Sequence, residues 1–139
     1  MAATEDTITA PGGIDRTRQA HLAALNSGNA DAWADAFTAD GVQMPPNAPA
    51  NAGREAIRPW VRGFLGAFSV EFALSVAEVH TAGEWAIERG AYTITITPRS
   101  GGAPIDDSGK YITIYRSQPD GTWLMARDIW NSDRPMPGA

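Results

Sequence analysis

The sequence predicts an α+β fold, with three helices in the first half and a curved antiparallel sheet in the second. Apolar residues recur at helical spacing over 14–27 and 54–68. From residue 70 onward the pattern turns to alternation and β-branched runs, broken by Gly-, Pro- and Asp-bearing joints. Helices followed by a meander of strands bury their apolar stripes by packing on one face of that sheet.

The first helix is read over 14–27. Ile14, the stem of Arg18, His21, Leu22 and Leu25 form one stripe, and Gly28 supplies the left-handed residue that ends it. Asn29 is the N-cap of a shorter helix whose apolar face is Trp33, Ala36 and Phe37. Asp40-Gly41 closes that helix, and Val42-Gln-Met44 is a short strand before the rigid turn Pro45-Pro46-Asn47. Over 54–68, Ile57, Trp60, Val61, Phe64, Leu65 and Phe68 make the clearest stripe in the chain. Pro59 is harmless only in a first turn, so a start near Arg54–Glu55 is preferred to a kinked helix. Four strands follow, at about 70–80, 85–97, 108–117 and 122–132, with joints at Ala82-Gly83-Glu84, 98–107 and Pro119-Asp120-Gly121. Residues 1–13 read as a disordered polar arm, 14–133 as one domain and 134–139 as a tail.

Composition narrows the function classes. The chain has 139 residues, no cysteine, and 11 basic against 16 acidic side chains, a formal charge of −5. At 43% hydrophobic it can bury a core as a single domain. Without cysteine there is no disulfide scaffold, thiolate catalysis, zinc ribbon or Cys-ligated cluster. An acidic chain without a basic groove is not expected to bind nucleic acid. Residues 1–13 carry two acids and no basic or apolar signal region, and no stretch approaches the ~18 apolar residues of a membrane span, so a cytoplasmic protein with no membrane partner is expected. Two histidines 59 positions apart and Asp106-Asp107 do not have metal-ligand spacing, and neither a phosphate loop nor a nucleophile elbow is present, so no metal and no cofactor are expected.

Parity sorts the strand residues onto faces. Leu124, Ala126, Asp128 and Trp130 share one face of the last strand, against Trp123, Met125, Arg127 and Ile129. In the second strand Ala86, Glu88, Gly90, Tyr92, Ile94 and Ile96 oppose Trp85, Ile87, Arg89 and Ala91. Both faces hold large apolar groups and three helices cover only one. A homodimer through the outer sheet face is therefore expected, the other reading being a monomer with a loop folded over it.

Several stretches resemble the nuclear transport factor 2-like superfamily, and within it the SnoaL-like and ketosteroid isomerase-like proteins. They are Ser27-Gly-Asn-Ala-Asp-Ala-Trp33, Phe37-Thr-Ala-Asp-Gly-Val42, Gly53-Arg-Glu-Ala-Ile-Arg58, Asp107-Ser-Gly-Lys-Tyr111 and Asp120 to Asp133, and the resemblance spans about 14–133. It implies a cone: a curved sheet wrapped around the helices, with an apolar cavity for a small apolar or aromatic molecule. The face carrying Glu88, Tyr92, Asp128 and Trp130 would be its wall. The isomerase roles transfer poorly. Met44 stands where that family has an aspartate base before a proline, His21 stands at the place of its oxyanion-hole tyrosine, and Tyr111–Tyr115 offers no acid for its protonated carboxyl. Trp130 alone matches.

The candidate catalytic residues are Asp128, Glu88 and His21. Asp128 interrupts an apolar strand; a buried carboxyl either finds a partner or rises in pKa, and serves as base or acid, or else anchors a neighbouring element. Glu88 shares its face, and two carboxyls in one hollow would split into one protonated and one ionised; alternatively Glu88 pairs with Arg89 or Arg127 in solvent. His21 is either a satisfied core residue or a base oriented by one of these carboxyls. Tyr111, Thr113 and Tyr115 face inward if the Gln118–Gly121 turn has two or four residues; a three-residue turn would bring Lys110 inward instead. Tyr92, Trp130, Tyr111, Tyr115, Trp60, Phe64, Phe72 and Met44 are expected to touch the ligand. Three functions follow: a cofactor-independent acid–base enzyme of isomerase, dehydratase or cyclase type; a non-catalytic domain that holds a metabolite or assembles partners; or a filled structural dimer.

Overall fold

The computed structural model describes residues 12–136. Its elements are α1 (Gly12–Ser27), α2 (Ala30–Asp35), β1 (Phe37–Met44), β2 (Asn51–Ala52), α3 (Arg54–Ala67), β3 (Phe68–Ala82), β4 (Trp85–Pro98), β5 (Ile105–Ser117) and β6 (Trp123–Ser132). They form one six-stranded sheet in the order β2-β1-β6-β5-β4-β3, antiparallel except for the parallel β1–β6 pair. This is the expected α+β arrangement with a curved sheet. The expected polar arm lies outside the described residues as far as residue 11, but Gly12 and Gly13 belong to α1.

The helices form as their sequences dictate. Asn29 caps α2, its side chain accepting from the Ala32 N–H at 3.0 Å, and Gly28 takes φ 75° between the two helices. Ile14, Arg18, His21 and Leu25 of α1 and Ile57, Val61 and Leu65 of α3 are buried. Two expectations are corrected. α2 stops at Asp35, and Phe37, expected on its apolar face, begins β1: the Met125 N–H donates to the Ala36 carbonyl at 2.8 Å, and sheet pairing outcompetes another helical turn. α3 starts at Arg54, as expected, but that start leaves Pro59 inside the helix rather than in its first turn. Glu55 and Pro59 are both exposed, so the carbonyl that loses its intrahelical donor faces solvent, where the loss is cheapest.

The sheet is long and irregular where it must bend. β3 and β4 pair from Phe68↔Pro98 to Ala82↔Trp85, with a register shift between Val76 and Glu78. A second shift, in β6, decides which carboxyl faces the helices. Ser117↔Trp123 and Tyr115↔Met125 share one register, whereas Ile114↔Arg127 and Thr113↔Asp128 are displaced by one residue, leaving Ala126 as a β-bulge. The inward residues of β5 are Tyr111, Thr113 and Tyr115. Had the first register continued, Asp128 would oppose Ile112 on the outer face. The bulge corrects the parity read from sequence: Met125, not Leu124, joins Asp128 and Trp130 inside. It also replaces the turn-length condition, since the connection runs from Gln118 to Thr122 and the tyrosines still point inward.

Glycines in β4 and β5 make room for two of those rings. A Cβ at Gly90 would stand 2.8 Å from the ring and hydroxyl of Tyr111, and one at Gly109 would stand 2.6 Å from the Tyr92 hydroxyl. Each tyrosine therefore lies across the backbone of its cross-strand neighbour, which only glycine permits. Gly90→Ala is expected to lower stability by ~1–3 kcal/mol, the usual cost of overpacking, as read by chemical denaturation.

Candidate functional site

A cavity of about 280 Å³ lies between the inner sheet face and the helices. Its inner end and its mouth differ in chemistry. At the inner end Glu88, Thr113 and Asp128 form one row across β4, β5 and β6, each a Cα partner of the next and each at most 5% exposed. Gln43 of β1 extends the row beside Asp128 and is wholly buried. Apart from Asp107 the partly exposed lining is apolar: Trp60 and Phe64 stack at 5.8 Å, on a wall shared with Phe72, Ile94 and Ile96.

Glu88 is the most heavily bonded side chain of the row. Arg18 reaches it from α1, Nη2 at 2.6 Å from Oε1 and Nε at 3.0 and 3.1 Å from the two oxygens. The Tyr111 hydroxyl donates to Oε2 at 2.6 Å and the Tyr115 hydroxyl to Oε1 at 3.2 Å. This corrects the expectation that Glu88 pairs with Arg89 or Arg127 in solvent: it is fully buried, and Arg89 binds Glu78 instead. The remaining Arg18 nitrogen, Nη1, donates to Asp15 at 2.6 Å. Burial opposes the guanidinium charge, but the bonds and attraction to Glu88 outweigh it, and the Arg18 pKa stands above its ordinary value. Burial and the Glu88 charge raise the Tyr111 and Tyr115 hydroxyls well above 10, so both remain donors.

Asp128 has a thinner environment. Its Oδ1 accepts from the Thr113 hydroxyl at 2.9 Å, and among the described residues no cation pairs with it. Burial raises its pKa to about 7; the Thr113 bond offsets this in part and the Glu88 charge adds to it. His21 packs against Trp33 with ring centroids 3.8 Å apart and ring planes tilted by 36°, and its Nδ1 is buried without a partner among the described residues. Burial lowers its pKa to about 3, so the imidazole is neutral. No hydrogen bond joins His21 to Asp128 or Glu88 among the described residues, so the base–orienter pairing is not formed. His21 lines the cavity as an aromatic wall.

The structure brings Asp128, Glu88 and His21 to one cavity with Tyr92, Trp130, Tyr111, Tyr115, Trp60, Phe64 and Phe72. Burial, with Asp107 and Asp133, lifts the Tyr92 hydroxyl to about 12. Met44 is the exception. It is in register with Ile129, on the outer face, and Gln43 takes the inward place beside Asp128. Sequence reasoning missed Gln43 and the role of Arg18. An arginine on a buried helical stripe was a usable signal, because its charge requires a buried acid opposite. Among the described residues no group of three or more His, Cys, Asp or Glu side chains could hold a metal, and no helix is long and apolar enough to cross a membrane.

This arrangement of helices against a curved sheet is the architecture of the nuclear transport factor 2-like superfamily. The chain belongs to the SnoaL-like domain family, whose model matches residues 19–124. Among solved structures it is similar to a ketosteroid isomerase-like protein from Erwinia carotovora (26% identity, TM-score 0.80, 88% of this chain and 95% of that one). It is also similar in fold to a conserved protein from Planctomyces limnophilus (24%, TM-score 0.78, 86% and 94%). A nuclear transport factor 2-like superfamily protein from Salmonella enterica shares the fold at 13% identity (TM-score 0.77, 91% and 92%). No curated protein matches the sequence at a significant level.

The two shifted groups have opposite linkage. Asp128, raised from 3.8 to about 7, contributes stability at low pH that is lost as pH rises through that window. His21, lowered from 6.5 to about 3, contributes stability at high pH that is lost as pH falls. Between 3.8 and 6.5 their slopes oppose one another. Asp128→Asn removes one of them, so its stability relative to wild type is expected to rise with pH across this window by about 1.4 kcal/mol per pH unit, read by urea denaturation. A constant difference would contradict the assignment.

Proposed function

We propose that the cavity binds a small, largely apolar molecule and that Asp128 moves a proton on it, as a cofactor-independent enzyme of isomerase or dehydratase type. The observation that carries this reading is the Asp128 carboxyl itself: buried in the cavity wall, held by one hydroxyl and unpaired with any described cation, a setting in which burial pushes its pKa up to about 7. A general acid or base works best when its pKa lies near the working pH. As a carboxylate, Asp128 would take a proton from a carbon beside a carbonyl; the acid so formed would return it to carbon or oxygen. Glu88, with both oxygens bonded to Arg18 and two tyrosines, would hold the wall rather than exchange protons. The steroid isomerase design is not proposed, because its base position is Met44, outside the cavity.

A substrate-independent assay tests this. The α-protons of 2-indanone should exchange with deuterium faster in the presence of the protein, increasingly so as pH rises through about 7, and Asp128→Asn should reduce the acceleration by ~100-fold or more. Equal exchange by the variant would overturn the role of Asp128. Binding of 2-indanone without any exchange would favour the non-catalytic reading.

We further propose a homodimer through the outer sheet face. Ile87, Ile112 and Ile129 project there from neighbouring strands at 41–49% exposure, Ile112 directly opposite Ile129, and Trp85 lies beside Arg116. With Ile114, the partner of Ile87, the isoleucines make a diagonal apolar patch between Arg89 and Arg127, and such a patch is costly in water unless a second copy covers it about a two-fold axis. Ile112→Asp should convert the dimer to a monomer by analytical ultracentrifugation while leaving the fold intact. A wild-type chain that sediments as a monomer would refute the dimer.

A further inference from the structure

We propose that Glu88 is a specificity-determining residue: by occupying Arg18 it leaves the inner end of the cavity without a free cation, so the cavity takes ring-sized molecules with a neutral hydroxyl or carbonyl head and rejects carboxylates. This rests on the reading of the cavity as a ligand site and adds the charge and orientation of what it takes.

Every charge at the inner end is already matched or suppressed. Arg18 is the only arginine or lysine in the cavity wall among the described residues, and each of its nitrogens is engaged: Nη2 and Nε on Glu88, Nη1 on Asp15. A carboxylate ligand entering there would lose its hydration and gain no ion pair. His21 offers no substitute, since burial keeps it neutral. An ammonium head fares little better. At the inner end Glu88 already accepts from Arg18, Tyr111 and Tyr115, which leaves Asp128 to receive a cation at the cost of deprotonating in a buried site, while the partly exposed Asp107 of the lining already binds Ser132 and Arg134. A hydroxyl or carbonyl oxygen carries no such desolvation cost, and Asp128 can donate to it or accept from it according to its own protonation. The aromatic mouth formed by Trp60, Phe64 and Phe72 fixes the orientation: the head lies toward Asp128 and the ring body toward the opening.

A matched series on one ring skeleton tests this: indane, 2-indanol, 2-aminoindane and indane-2-carboxylate, titrated by calorimetry at about pH 6, where Asp128 is mostly protonated and the carboxylate ligand is ionised. For the wild-type protein, 2-indanol should bind at least about tenfold more tightly than either charged analogue. Nuclear Overhauser contacts should run from its ring protons to Trp60 and Phe64. Glu88→Gln keeps the side-chain size and leaves Arg18 paired only with the half-exposed Asp15, its Nη2 and Nε no longer facing a carboxylate, so indane-2-carboxylate should gain at least about tenfold in affinity over its wild-type value. If the variant does not fold by circular dichroism, the wild-type ranking still decides. Wild-type protein that binds the carboxylate as tightly as the alcohol would overturn the proposal while leaving the ligand site standing, and so would a folded Glu88→Gln protein with unchanged preference. Failure of all four compounds to bind would overturn the ligand-site reading as well.

Discussion

The single extra residue in β6 determines what this cavity can do. Through Met125 the strand keeps one register with β5, and beyond Ala126 it keeps another. The shift rotates Asp128 from the outer face, where a carboxylate would be solvated and ordinary, to the inner one, where it sits 5% exposed against Thr113. Removing a charged group from water is expensive enough that a buried carboxyl with one neutral partner keeps its proton to a much higher pH than in solvent. A backbone irregularity is thereby converted into a chemical property.

The second carboxyl of the row shows how the same burial is handled the opposite way. Glu88 is even less exposed than Asp128, but it receives a two-nitrogen contact from Arg18 and two tyrosine hydroxyls. The pair also fastens α1 to β4 of the sheet. Buried ion pairs of this kind are weak arguments for net stability, but removal of one partner leaves an uncompensated charge and is strongly destabilising. Two carboxyls a strand apart thus take different roles because one has a cation and the other does not.

Much of this arrangement is legible in the sequence. The helical stripes of α1 and α3, the order of the four long strands and the inward side of β4 follow from side-chain period alone, since Ala86, Glu88, Gly90 and Tyr92 alternate without interruption. Parity puts Asp128 and Trp130 on the correct face but not Met125, because counting holds only on one side of a bulge. The bulge leaves no signature in Leu124-Met-Ala-Arg-Asp128 that local propensity would detect. Met44 misleads for a related reason: the proline that follows it suggests an equivalence, whereas the facing direction of β1 is set by its parallel pairing with β6, a contact more than eighty residues away. Arg18 is visible on the stripe, but its partner lies seventy residues further on, and only the folded sheet brings them together.

The most direct measurement is the carboxyl carbon-13 titration of Asp128 by nuclear magnetic resonance. The account predicts a midpoint near 7, far above that of a solvated aspartate, and a shift further upward when Thr113 is replaced by valine. A midpoint at the ordinary aspartate value would mean that residue 128 faces water and that the cavity has no buried acid with which to move a proton.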